Sequence, residues 1–271
     1  MTKQEYITRV YHDLFFYTLS PLELQRWYAG KKLKLTALKQ GKKKQVKVSR
    51  RQRIYQQASS EKLKLAHTAS AVLQKIPFIM FVGITGSLAM NNASPQSDID
   101  LMIITQENTL WFTRLISITL LSFYKFKLRR AGNSDEVNRL CMNLWIDESA
   151  LMLPHMPHNA YTSHEVAQVV PLVNKARTYE RWISKNTWVL DYWPYAVHVS
   201  PKKQTKKQTY TFLLPLIHLL NLLAFKIQKQ YMQKKITRER VAPHYAYFHP
   251  FDWGDVVMKE LSHRGVVESV K

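Results

Sequence analysis

The sequence predicts an α+β protein, a strand-bearing centre held between helical flanks, on the strength of three observations. Two apolar runs of strand length, 78–85 and 98–105, stand on either side of a polar connection, 86–96. Apolar residues recur at helical spacing before and after them. The charge is partitioned as well: of a net +21, residues 1–76 carry +13, residues 77–200 are neutral and residues 201–271 carry +8. At 271 residues and 46% hydrophobic content, with only seven glycines, the chain can bury a core and does not have a disordered composition. The division expected is a basic helical, winged-helix-like module at 1–60, a core at 61–150 and a mostly helical region at 151–271.

In chain order, Tyr6, Val10, Tyr11, Leu14 and Phe15 share one helical face. Ser20 and Pro21 read as N-cap and first helical residue, with Glu23 in the first turn and Gly30 after the end. Residues 31–64 hold 13 Lys or Arg against one acid, Glu61. There, residues 40–44 read as a turn, and Val46 and Val48 as a brief strand or wing. Helical periodicity returns over 61–76 through Leu63, Leu65, Ala66, Ala69, Val72 and Leu73, and Pro77 closes it.

Residues 88–90 read as one helical turn, and Asn108 as the cap of a helix over 109–128. A polar loop at 129–138 leads to a third strand at 140–146, where Cys141, Asn143, Trp145 and Asp147 alternate onto one face. Ser163 is expected to start a helix, 179–184 to form another and 192–195 an aromatic turn. A basic linker at 202–208 precedes the apolar run 210–225. At 16 residues, interrupted by Pro215, His218 and Asn221, that run is shorter than the ~20 residues a span needs and reads as a buried helix.

The chemistry concentrates in TGSLAMNNASPQSDID. Asp98 and Asp100, two apart on a strand, point to one face. Mg²⁺ favours carboxylate oxygens together with substrate phosphates, so the pair reads as a metal clamp. Gly86 and Ser87, opening a helical turn, would present backbone amides to a phosphate. His155 and His158 are separated by a proline that spoils metal-ligand spacing, and read as a solvated loop; His164 and Glu165 read as structural or as touching the nucleotide. With Cys141 the single cysteine, no intrachain disulfide forms, and a reducing, cytoplasmic location is expected. The first residues lack the apolar run of a signal peptide.

Gly-Ser, a ten-residue spacer and Asp-x-Asp between two apolar runs resemble the nucleotidyltransferase superfamily typified by DNA polymerase beta. The surrounding TGSLAM…SDIDLMII is similar to its minimal members. The resemblance covers roughly 61–147 and implies a small mixed sheet with helices. It implies a nucleoside triphosphate, ATP among them, held at Gly86 and Ser87. It implies two Mg²⁺ ions, with Mn²⁺ as a substitute, held by Asp98, Asp100 and a third carboxylate on a later strand. This chain departs from the pattern at Asn91, where a glycine is usual, and at Asn143, where an acid is usual. Asp147, about 13 Å further along the strand, is one choice for the third metal ligand and catalytic acid. Asn143 as a neutral replacement is the other.

Three readings follow. The first is two-metal transfer of a nucleotidyl group to a hydroxyl or phosphate acceptor, with RNA favoured because of the basic segments 31–64 and 202–240. The second is a nucleic-acid-binding module whose transferase core is impaired, and the third a toxin–antitoxin-type enzyme modifying a protein. Docking to a membrane surface stays open as a further use of the basic flanks, without a transmembrane segment.

Overall fold

The computed structural model describes residues 1–36, 48–129, 136–152, 156–198, 214–233, 239–248 and 253–269. The expected turn at 40–44, Val46, His155 and the linker at 202–208 lie outside them. The architecture is α+β. The elements run α1 Lys3–Asp13, α2 Pro21–Arg26, β1 Leu33–Leu35, α3 Arg50–Leu73, β2 Ile79–Ile84, α4 Gly86–Ala89, β3 Ile99–Thr105 and α5 Leu110–Phe123. They continue with β4 Leu140–Asp147, α6 Ala160–Ala167, β5 Val170–Asn174, α7 Thr178–Lys185, α8 Leu214–Gln233, β6 Arg240–Ala242, β7 Tyr245–Tyr247, α9 Trp253–His263 and β8 Val266–Glu268.

Six strands form one mixed sheet in the order β5-β2-β3-β4-β7-β6, in which β3 and β4 are parallel and the other neighbours antiparallel. Both faces are covered, which is why β2 is buried along its whole length. Val82, Leu101, Ile103 and Trp145 face Ala69 and Leu73 of α3, Trp111 and Leu121 of α5 and Ala224 of α8. Phe81, Met102, Ile104 and Ile146 face a second core shared with Ile7 and Tyr11 of α1, Trp182 of α7 and Leu261 of α9. The first residues are thus built into the same core as the last, and β1 pairs with β8.

Local signals decide several boundaries. Ser20 caps α2 in a reciprocal capping box with Glu23, as its spacing predicts. Helix α3 starts eleven residues earlier than the periodicity suggests, capped by Ser49. Its first turn is polar, and Gln52 is buried there because its amide bonds both backbone groups of Thr18. The boundary at residue 60 falls inside this helix. Helix α5 stops at Phe123 because Lys125 takes the left-handed conformation (φ 62°). Asn159, not Ser163, caps α6. Val48 lies outside any strand.

Helices α1 and α6 meet through two buried imidazoles. His12 Nδ1 donates to the Thr8 carbonyl (2.8 Å), and the Nε2 atoms of His12 and His164 lie 3.2 Å apart. Trp27 stacks on His164 at 3.9 Å, and Tyr11 and Trp193 close the cluster. Burial pushes His12 down to about 4, against the smaller upward pull of the Thr8 hydrogen bond and Glu23. Burial, His12 and Arg26 hold His164 well below the usual range. Below the unfolded value of about 6.5, the unfolded chain gains protons that the folded chain refuses, so stability falls with pH toward 4 at about 1.4 kcal/mol per unit for each histidine. Between pH 6.5 and 4.5, His12→Gln is expected to remove about that much from the slope of unfolding free energy against pH; denaturant titrations across the window check it, and an unchanged slope would contradict it.

Candidate active site

The site is assembled where β2 ends, α4 turns and β3 begins. Gly86 has φ +59°, and a Cβ there would lie 2.7 Å from Asp100 Oδ2. Glycine is therefore required twice, for the left-handed backbone and for contact with the carboxylate. Thr85 N–H donates to the Asp100 carbonyl (3.1 Å), holding the two strands in register at this point. Ser87 is exposed on α4. Asn91, standing where glycine is usual, takes φ +54°, a conformation that Asn adopts more readily than most residues.

Lys62, which sequence reasoning left unremarked, secures the connection. Its side chain is buried, and Nζ donates to the carbonyls of Pro95 (3.2 Å) and Ser97 (2.8 Å) and to Asn138 Oδ1 (2.7 Å). One ammonium from α3 thereby ties the segment entering Asp98 to the segment entering β4.

Asp98, Asp100 and Cys141 come together, with one ligand atom of each lying within 4.8 Å of the others. Asn143 joins them, its Nδ2 donating to Asp100 Oδ1 at 2.5 Å. Arg129 is the further member that the sequence did not signal: Nη1 donates to Asp98 Oδ2 at 2.7 Å and Nη2 to Glu136 at 2.5 Å. An arginine 31 positions after the first aspartate carries no spacing signal. Burial pushes Asp100 up to about 8, Asp98 and Glu165 add to the rise, and Arg129 and Cys141 oppose it. Burial, Asp100 and Asp98 likewise push the Cys141 thiol up. Glu165 is itself raised to about 7 by burial, and its Oε1 accepts from Gln168 Nε2 (2.7 Å), which opposes the rise. The periodicity of α6 gave no hint that its charge bears on Asp100.

Asp147 is not brought to the cluster. Asp100 pairs with Cys141 but Met102 with Leu144, so two steps along β3 match three along β4. This bulge inserts one residue and reverses the phase of everything after it. Cys141 and Asn143 stay beside Asp100, whereas Trp145 turns into the opposite core and Asp147 pairs with Thr105, five residues and about 16 Å from Asp100 along the strand. The expectation of a single face along this strand fails for that reason. The Asp147 carboxylate has a local task, accepting from the backbone N–H of Asn108 (3.0 Å) and of Ser149 (2.9 Å) and from His244 Nδ1 (2.8 Å).

A divalent cation implied by such a site can be tested against the residues present. Asn143 Oδ1 is buried without a hydrogen-bond partner among the described residues, on the side chain whose Nδ2 donates to Asp100. A neutral amide oxygen and two carboxylates form a hard donor set suited to Mg²⁺ or Mn²⁺, so the residues fit the group.

A mixed sheet that brings a Gly-Ser turn against a paired-carboxylate strand defines the class: a nucleotidyltransferase-type core. Residues 65–150, about a third of the chain, match the model of the nucleotidyltransferase domain. No curated protein and no solved structure matches the chain. The domain points to nucleotidyl transfer with a nucleoside triphosphate as donor.

Two substitutions test the scaffold. Gly86→Ala should cost about 1–2 kcal/mol for the left-handed residue alone, and Lys62→Met about 1–3 kcal/mol for the acceptors left unpaired. Chemical denaturation of the full chain checks both; wild-type stability in either variant would contradict the geometry described.

Proposed function

We propose that the chain is a nucleotidyltransferase that moves a nucleotidyl group from a nucleoside triphosphate to a nucleic-acid acceptor. The observation that carries the reading is the meeting of Gly86, Asp98 and Asp100 within the stretch that matches the domain. Bound at Asp98 and Asp100, two Mg²⁺ or Mn²⁺ ions would neutralise phosphate charge and lower the barrier to in-line displacement.

The chain's own residues then have separable tasks. Gly86 lets the backbone approach the Asp100 carboxylate, and Ser87 offers a solvent-facing hydroxyl and N–H for a phosphate oxygen. Asn143 fixes the orientation of Asp100 and takes the place where a third acid is usual. Arg129 supplies positive charge against Asp98 that a carboxylate-rich site would lack. The basic flanks support nucleic acid as acceptor, because lysines and arginines against phosphates give strong, salt-dependent association.

A second reading is favoured by the same two residues. A neutral Asn143 and a guanidinium already seated on Asp98 suit a core that binds nucleotide or nucleic acid without turning it over. Incubation with each labelled triphosphate, Mg²⁺ or Mn²⁺ and total RNA separates the two. Transfer of label to RNA, reduced at least about a hundredfold in Asp98→Ala and Asp100→Ala, is expected. Undiminished transfer in those variants would overturn the mechanism, and salt-dependent RNA binding with no turnover would favour the second reading. Label on a protein instead of RNA would change the acceptor.

A further inference from the structure

Helix α8 is built inside out. Its buried positions are Ile217, Asn221, Ala224 and Gln228, and both polar members are used by α5. Asn221 Oδ1 accepts from the backbone N–H of Trp111 (2.8 Å) and of Phe112 (3.1 Å), donors at a helix start that have no partner within the helix. Gln228 Nε2 donates to the Trp111 carbonyl (2.8 Å), while its Oε1 accepts from Arg114 (2.5 Å). The inner face thus holds α8 in place by hydrogen bonds that specify its register on α5.

The outer face is apolar. Leu216, Leu219, Leu222, Leu223, Ile227 and Tyr231 are each 48–69% exposed. Scattered exposed leucines are ordinary, but six large apolar residues on one 20-residue helix form a strip about 22 Å long. Lys226, one turn after Leu222, is exposed within that face, and Lys229 is exposed on its flank. From Tyr192 to Arg238 the sequence contains no Asp or Glu.

That charge distribution selects among occupants. A second copy docking strip to strip would bring lysines against lysines with no acid on the helix to pair them. Among the described residues no helix is long and apolar enough to cross a membrane, so α8 would lie along a bilayer instead of through it. An apolar strip carrying lysines matches the interface of an anionic bilayer, where side chains enter the acyl boundary and ammonium groups reach the headgroups. We propose that α8 docks the protein onto an anionic lipid surface, lying in the plane of the interface with its leucine face inward. This surface is independent of the candidate active site.

The test is co-sedimentation of the full chain with phosphatidylcholine vesicles, with and without phosphatidylserine. Binding to the anionic vesicles is expected to exceed that to neutral ones at least about tenfold. A chain of net +21 would adhere to anionic vesicles by charge alone, so the deciding variant is Leu219→Ser/Leu223→Ser/Ile227→Ser, which keeps every charge and alters only exposed positions. The expected result is loss of most vesicle binding in that variant with an unchanged circular-dichroism spectrum and melting curve. Lys226→Gln/Lys229→Gln is expected to reduce the preference for anionic vesicles. Vesicle binding that survives the leucine replacements is charge alone and overturns the proposal. So does absence of vesicle binding together with a dimer, seen by sedimentation velocity, that the same replacements abolish.

Discussion

The structure depends on one electrostatic constraint: Asp100 is a carboxylate held where water is scarce. Burial is the largest influence on it, and neighbouring acids make ionisation harder still. Everything around it answers that difficulty. Gly86 leaves room for its oxygen, Asn143 donates to it, Cys141 lies beside it and Arg129 offsets the charge of its partner Asp98. A buried carboxylate pair of this kind adds little to stability, and it creates a strong local demand for positive charge. Asp98 and Asp100 would hold a cation that satisfies that demand, and the orphan oxygen of the neighbouring Asn143 would offer a neutral donor.

The scaffold is arranged to keep this demand localised. Lys62 places an ammonium from α3 among three oxygens beneath the connection and so fixes how the chain enters β3. The β3–β4 bulge ends the polar face after Asn143 and returns the strand to core packing through Trp145 and Ile146. Without the bulge, alternation would place Trp145 and Asp147 on the site's face. With it, the site is short and polar, and the sheet beyond it is sealed. The imidazole pair of His12 and His164 has the same character within the second core, a polar contact maintained by aromatic walls.

What could be read from the sequence follows the range of each interaction. The strands β2 and β3, the capping box at Ser20 and the paired aspartates are local patterns, and they fall where period and spacing put them. The start of α3 was missed because its first turn is polar and is stabilised by Gln52 reaching Thr18, 34 residues away. Asp147 was misplaced because a bulge is a property of two strands together and leaves no mark on either one's alternation. Arg129 and Lys62 act across 31 to 76 residues of chain, and nothing in their neighbours' identities announces it. By composition and length the apolar run before residue 225 reads as a buried helix. In α8 the hydrophobic count is as expected, but the polar residues face inward, because α5 needs partners for its own backbone.

The central claim is that Asp98 and Asp100 hold divalent cations against a triphosphate cradled at Gly86 and Ser87. Its most direct test is a crystal structure of the chain with Mn²⁺ and a non-hydrolysable nucleoside triphosphate, read by anomalous scattering from manganese. The account predicts manganese peaks coordinated by both aspartates, phosphate oxygens at the Gly86–Ser87 backbone and Arg129 displaced from Asp98. Manganese absent from the aspartates, with the guanidinium still on Asp98 and the nucleotide elsewhere, would contradict it.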